Sequence, residues 1–290
     1  MAEDLNFLDP DRNHKDIKRT RVYMDNAART KMHPEALRYL NLAMLKCYGN
    51  PSTSYKEGRI AKSAMQWSRE VCAKSLGATS PEEIVFTSCG TESNNIALRS
   101  CVASYKKIHP NQKCVIMTSS VEHSSVTKTA ENIVSLDPQG CEHVRIPVET
   151  NGKINTDLYY ELLVAHREQL AIVSIICGQN ETGIVQDIFQ LAQICRDVTQ
   201  NRVPFHTDIT QVVGKIPIKF ILSGSEHGIC KCTQVSWPTR CWSFVYLQKL
   251  QRIGCRNNTH VRRWARKWQE MWYRECAVDI GNIQGHFAFS

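Results

Sequence analysis

An α/β layered fold with a largely parallel sheet is what this sequence predicts, on two observations. Beyond Thr91, apolar runs of strand length alternate with amphipathic stretches of helical length, the order that strand–helix–strand units produce. Several of those runs end in turns rich in hydroxyl, amide and carboxyl side chains, where an open α/β sheet places its ligands.

The elements follow in order. Residues 1–20 are polar and charged and read as a flexible N-terminal arm. Pro34 to Leu45 has helical apolar spacing with proline in its first turn, where proline lacks no needed donor. A second amphipathic helix is predicted from Gly58 to Leu76, with Ile60, Met65 and Val71 on one side. The short run Ile84-Val-Phe86 reads as a strand. Helix 92–106, strand 113–118, helix 124–133, strand 143–147, helix 156–168, strand 170–177, helix 186–199 and strand 203–207 complete the alternation. No internal repeat or low-complexity segment interrupts it.

The chain has 290 residues, 42% of them hydrophobic, enough for a sizeable core. No apolar run approaches the length of a membrane span, and the acidic start Met1-Ala-Glu-Asp-Leu5 is not a secretory signal. Thirteen cysteines without an export signal point to reduced thiols, and the expectation is a cytosolic (cytoplasmic) protein. The net charge of +8 is local: residues 230–290 carry ten Lys/Arg against three Asp/Glu, while the residues before them are nearly neutral. A whole-protein attraction to nucleic acid or membrane is therefore not expected.

Four turns carry candidate chemistry. His206-Thr-Asp208-Ile-Thr-Gln211 ends an extended run, where an Asp is able to hold a ring nitrogen protonated; a plain Asp/Thr loop is the competing reading. Thr87-Ser-Cys-Gly-Thr91-Glu-Ser-Asn-Asn95 lies between a strand and a helix. Such a turn offers backbone N–H groups to a phosphate, though similar turns merely cap many helices. Val121-Glu-His123 follows strand 113–118 and offers a ring for stacking, against the commoner structural role of a lone His. Gly178-Gln-Asn180-Glu-Thr-Gly183 follows strand 170–177, with a carboxamide in reach of a ring hydroxyl.

The order of these phrases resembles the NifS-type cysteine desulfurase and selenocysteine lyase family, within the class V aminotransferase superfamily that uses pyridoxal 5'-phosphate. Tyr23-Met-Asp-Asn-Ala-Ala28, Gly49-Asn-Pro-Ser52, Gly58-Arg59, Thr87–Asn95, Glu122-His123, Asn180-Glu-Thr-Gly183 and His206-Thr-Asp208 carry the resemblance over about residues 21–220. Tyr55 stands where bacterial desulfurases usually show His and resembles the selenocysteine lyase form. The resemblance implies a fold type I transferase, with a partial cofactor-binding large domain over 21–220, and a homodimer. It implies decomposition of L-selenocysteine to L-alanine and selenium for selenoprotein synthesis, or, as the alternative, cysteine desulfuration feeding iron–sulfur clusters. A non-catalytic dimerising fragment is the alternative outside enzymology.

Carried over by position, Gly90 and Thr91 are expected to bind the cofactor phosphate. His123 would stack on the ring, Asp208 would pair with the ring nitrogen, and Asn180 and Gln211 would contact the ring hydroxyl. Two positions depart from the family pattern. Cys89 replaces a small residue, and Arg29 stands where Thr is usual, which touches the substrate side.

Beyond Phe220 the character changes. Five of the six Trp lie in residues 237–272, with seven arginines and five cysteines in 230–276, and no strand or helix periodicity is evident. Zinc binding by Cys230, Cys232, Cys241 and Cys255 fits no familiar spacing, and Arg/Trp interleaving suggests single-strand binding. The third reading is a shifted reading frame. The resemblance calls here for His-Lys-x-x-Gly-Pro-Arg, then Gly-Gly-Gly-Gln-Glu, then Gly-Thr-Glu-Asn. Read from the second base of each codon, Thr233-Gln234 permits His-Lys and Trp237-Pro-Thr239 permits Gly-Pro-Arg. Arg262–Arg266 permits Gly-Gly-Gly-Gln-Glu, and Met271–Cys276 permits Cys-Gly-Thr-Glu-Asn-Val. The Trp codon has no degeneracy, yet each supplies the glycine required. Residues 221–290 are thus expected to be a non-family, irregular tail. The Schiff-base lysine of the family is then absent, no catalytic residue is retained, and the chain is expected to be inactive.

Overall fold

The computed structural model describes residues 22–76, 78, 80–216, 229–233 and 243–247. Two helices, α1 (Pro34–Lys46) and α2 (Lys56–Leu76), precede strand β1 (Ile84–Thr87). Then α3 (Gly90–Ile108), β2 (Cys114–Ser119), α4 (Ser124–Leu136), β3 (Cys141–Ile146), α5 (Thr156–His166), β4 (Leu170–Ser174), α6 (Ile188–Thr199) and β5 (Phe205–His206) alternate. Local chemistry sets the starts. His33 Nδ1 accepts from Glu35 N before Pro34 opens α1. Asn155 Oδ1 takes the N–H groups of Asp157 and Leu158 at the start of α5, and Asp187 takes that of Gln190 at α6. Each satisfies donors that the first helical turn leaves without acceptors.

Seven strands form one sheet in the order β1-β7-β6-β5-β4-β2-β3, where β6 is Ile229–Thr233 and β7 is Ser243–Leu247. The strands β3, β2, β4, β5 and β6 pair in parallel, and β7 runs antiparallel to both β6 and β1. Alternation along the strands divides the core in two. Val115, Met117, Val173 and Phe205 pack with Leu163, Leu191 and Cys195 from α5 and α6. Cys114, Ile116 and Ile172 pack with Ala97, Leu98, Val126 and Ala130 from α3 and α4. Helices on both faces are what a near-continuous apolar strand such as Leu170-Ala-Ile-Val-Ser174 requires.

The chain leaves β3 at one edge and crosses over β2 to enter β4 on its other side. The strand order therefore reverses between β2 and β4, and the loops leaving their carboxyl ends part to form a crevice. Backbone pairing carries this region beyond the formal strands. Ile175 N donates to His206 O at 3.0 Å and Cys177 N to Asp208 O at 2.9 Å, so the extended run predicted to Cys177 holds Asp208 in register.

On α2, Ile60, Met65 and Val71 are 40%, 39% and 44% exposed, and the buried residues are Gly58, Ala61, Ala73 and Leu76. The close approach at Gly58 is local: a Cβ there would meet Thr53 Oγ1 and lie 2.6 Å from Asn50 O, both in the turn that leads into the helix. Of the stretch 221–290, expected to be an irregular tail, the described pieces are the strands β6 and β7. Inserted between β5 and β1, β6 and β7 satisfy backbone edges that would otherwise stay unpaired, and Ser243-Phe-Val-Tyr-Leu247 has strand-favouring composition. The rest of that stretch lies outside the described residues, as do residues 1–20.

Candidate active site

A cleft of about 340 Å³ opens at the carboxyl ends of β2, β4 and β5. Thr91, His123, Asn180, Asp208 and Gln211 all line it, although they come from four separate loops or helix ends. Gly90 is buried at the start of α3, and Thr91 is the residue of that turn that lines the cleft.

Asp208 is 3% exposed and fully engaged. Its Oδ1 accepts from Thr210 N at 3.0 Å and from the Thr210 hydroxyl, and its Oδ2 accepts from Asn94 Nδ2 at 3.1 Å. The same Asn94 amide donates to Ser125 Oγ at 2.8 Å, and Ser125 Oγ lies 2.8 Å from His123 Nδ1. His123, Ser125, Asn94 and Asp208 thus form one connected polar chain. Because Ser125 N also donates to His123 Nδ1 at 3.1 Å, that nitrogen carries the lone pair and the proton of the neutral ring sits on Nε2. The ring itself is exposed, as the N-cap of α4.

The first helical bond of α3 runs from Ser93 N to Cys89 O, and Cys89 makes no side-chain cap. The N–H groups of residues 90–92 are left without helical acceptors beside Thr91, at the positive end of a 19-residue helix. Across the cleft, Gly178 brings its backbone against β5's continuation: a Cβ there would sit 2.6 Å from Val212 Cγ2. The following turn is tied by Gln179 Oε1, which accepts from Glu181 N and Thr182 N at 2.6 Å each, and presents Asn180. Gln211 Nε2 donates to Ala27 O at 2.9 Å, which fastens the Asn26–Thr30 segment over the cleft. Arg29 lines it as well.

Beneath the surface lies Glu122. The residue as a whole is half-buried, but its carboxyl is enclosed. Oε1 accepts from Ser119 Oγ and from Ile176 N, each at 2.6 Å, and latches the end of β2 to the chain beyond β4. Burial pushes its pKa up to about 8, with Asp208 raising it further against those hydrogen bonds. His206 is core: its Nδ1 lies 2.7 Å from Ser174 Oγ, and burial lowers its pKa to about 4, so the imidazole is neutral. Of the phrase His206–Gln211, only Asp208, Thr210 and Gln211 reach the cleft. Asn94 and Glu122 lie inside the matched phrases Thr87–Asn95 and Glu122-His123, and Ser125 follows just after, yet the sequence assigned none of them a role. The helical spacing of Gly90, Asn94 and Ala97 was a further signal, since it places Asn94 on the buried side of α3.

Residues 22–224 match the family Aminotransferase class-V. The chain belongs to that family. Among curated relatives, it is 34% identical over 232 residues to the cysteine desulfurase NifS of Azotobacter vinelandii, covering 80% of this chain and 54% of that protein. It is 35% identical over 219 residues to selenocysteine lyase of Homo sapiens, covering 67% and 47%. The chain thus spans about half the length of the curated relatives it matches. A solved NifS-like protein superposes with a TM-score of 0.69 at 29% identity, over 80% of this chain and 60% of that one. The structure of SspA in complex with cysteine gives 0.65 at 27%, over 79% and 62%.

Pyridoxal 5'-phosphate is the cofactor of this family. The residues present fit it. Uncapped first-turn N–H groups beside Thr91 suit a phosphate, the exposed His123 ring suits a flat aromatic, and Asp208 offers an acid held rigidly by three donors. Among the described residues no group of three or more His, Cys, Asp or Glu is placed to hold a metal, and no helix is long and apolar enough to cross a membrane.

Proposed function

We propose that this chain is the cofactor-binding part of a pyridoxal 5'-phosphate lyase that cleaves the carbon–chalcogen bond of an L-amino acid, L-selenocysteine or L-cysteine, leaving L-alanine. The observation that carries the reading is the convergence of Thr91, His123, Asn180, Asp208 and Gln211 on one cleft at the strand ends. Relatives of both kinds match at similar identity, and the cysteine complex of SspA supports a small amino-acid substrate.

When bound, the cofactor supplies an aldehyde and an electron-withdrawing ring that delocalises charge arising at the substrate α-carbon. Asp208 keeps the ring nitrogen protonated, since a carboxylate beside a cation favours the charged form. Asn94 and Thr210 hold that carboxylate in one orientation. Gly90 and Thr91 bind the phosphate through the α3 N-terminus. His123 covers a ring face, with its tautomer set by Ser125. The carboxamides of Asn180 and Gln211 orient the ring through its hydroxyl.

Tyr55 favours selenocysteine in the sequence but is 53% exposed and stands outside the cleft, so the geometry supports the chalcogen amino acids as a class. Beyond about residue 220 we read the sequence as the family's own, one base out of frame, with loss of the lysine that bonds the cofactor in relatives. The positioned base alone is worth about 10²–10⁴-fold in rate, and with the remainder of the family's chain also lost, residues 1–290 are expected to show essentially no turnover. The experiment compares residues 1–290 with an in-frame version for pyridoxal phosphate retention and for alanine formed from each substrate. Retention by both, with turnover only in the in-frame protein and selenocysteine preferred, is expected. Failure of both to retain the cofactor overturns the function, and a clear preference for cysteine overturns the selenium assignment. Sequencing a transcript across codons 215–240 tests the frame.

A dimer is the second reading, favoured by α1. None of its residues is buried, and Met44 and Leu45 are 70% and 74% exposed, an apolar face that suits a protein partner. Co-purification with a tagged copy of the chain or of the in-frame protein tests this, and a strictly monomeric species overturns it.

A further inference from the structure

We infer that Lys215 is the amine through which this chain captures the aldehyde of its cofactor, an inference that rests on the pyridoxal phosphate reading above. Among the lysines whose side chains the structure describes, Lys215 is the one that lines the cleft. It is brought there by a short turn. Val212 and Val213 N–H groups bond to Ile209 O, Gly214 adopts the left-handed conformation at φ 77°, and Lys215 N returns to Val212 O at 3.0 Å. A side chain at Gly214 is strained in that conformation, so glycine at this position is what folds Lys215 back.

The side chain then points along Gln211: Lys215 Nζ donates to Gln211 Oε1 at 2.8 Å. Gln211 is one of the two carboxamides assigned to the ring hydroxyl, and on the pyridoxal ring the carbon bearing the aldehyde adjoins the carbon bearing that hydroxyl. An amine hydrogen-bonded to the group that grips the hydroxyl is therefore beside the aldehyde. The other cleft cation, Arg29, is a guanidinium and offers no nucleophilic nitrogen near neutral pH. In the step, the neutral Lys215 amine adds to the aldehyde carbon and a carbon–nitrogen double bond forms. The aldehyde oxygen leaves as water, taking up the two protons released from nitrogen. Nothing is oxidised or reduced, and no further reactant is needed. The loop after β5 thus supplies a nucleophile where the family relies on a lysine further along the chain.

Purified residues 1–290 are incubated with one equivalent of pyridoxal phosphate, and retention after ultrafiltration is measured by cofactor fluorescence. Borohydride then fixes any carbon–nitrogen double bond, and peptide mass spectrometry locates the modified lysine. The expected label is at Lys215. Lys215→Arg, which keeps the charge, is expected to lower total labelling about ten-fold while retention before reduction changes by less than about three-fold, because the nucleophile is lost and the phosphate site is not. Lys31→Arg leaves both unchanged. Label at Lys231, label spread over exposed lysines such as Lys31 and Lys62, or full labelling of Lys215→Arg overturns the inference and leaves the cofactor reading standing. Absence of retention by the unaltered chain overturns both.

Discussion

Glu122→Gln isolates a charge balance hidden under the cleft. The glutamate has one oxygen taken by Ser119 Oγ and Ile176 N and the other buried without a partner, and burial raises it from 4.5 to about 8. The unfolded chain gives up this proton near 4.5, whereas the folded chain keeps it until about 8. Stability contributed by the protonated group is therefore present below the lower value and is lost as pH rises between the two. Over the whole window the loss is on the order of 5 kcal/mol. His206 has the opposite sign. Burial lowers it from 6.5 to about 4, so its contribution is present above 6.5 and is lost as pH falls toward about 4. The two slopes oppose one another up to pH 6.5, and from there to about 8 Glu122 acts alone. Glutamine keeps an acceptor for Ser119 and Ile176 and does not titrate. In thermal unfolding, the unaltered chain should lose stability above pH 6.5 while Glu122→Gln stays level. The gap widens by about 2 kcal/mol by pH 8, or about 4–8 °C for a domain of this size. A gap that does not change with pH refutes the burial argument.

Three further substitutions probe the frame of the site. Asn94→Ala removes the bonds to Ser125 and Asp208 and should cost about 2–4 kcal/mol in urea unfolding, together with weaker cofactor retention; a cost under about 0.5 kcal/mol would show the polar chain to be incidental. Gly178→Ala sets a methyl group 2.6 Å from Val212 Cγ2 and should cost about 1–3 kcal/mol by the same measurement, with no loss if the two strand ends part freely. Asp208→Asn keeps an acceptor for Thr210 N but turns a second donor toward the buried Asn94 Nδ2, so it should cost about 1–3 kcal/mol in the same measurement. Its retention of pyridoxal phosphate should drop about ten-fold as a charge-assisted bond becomes neutral. Equal retention in a fluorescence titration removes Asp208 from the ring nitrogen.

Periodicity and turn chemistry, both local, were enough to place the elements. Helix 124–133 became Ser124–Leu136 and strand 113–118 became Cys114–Ser119, because a continuous run such as Val115-Ile-Met117 and a His or Asn before a helix act within a few residues of themselves. The same locality exposed His123, Asn180 and Asp208, each at the end of an apolar run. What turns these into a site depends on distance across the fold. Asn94 bonds Asp208 from 114 positions away, and Glu122 reaches Ile176 from 54, separations that no periodic pattern encodes. Tertiary packing also buried Gly58, Ala61, Ala73 and Leu76 of α2 and left Ile60, Met65 and Val71 partly exposed. It placed His206 in the core and swung Lys215 into the cleft. Sequence determined which groups stand at the strand ends, and the crossover between β2 and β4 decided which of them meet, because only a packed sheet brings separate loops to one crevice.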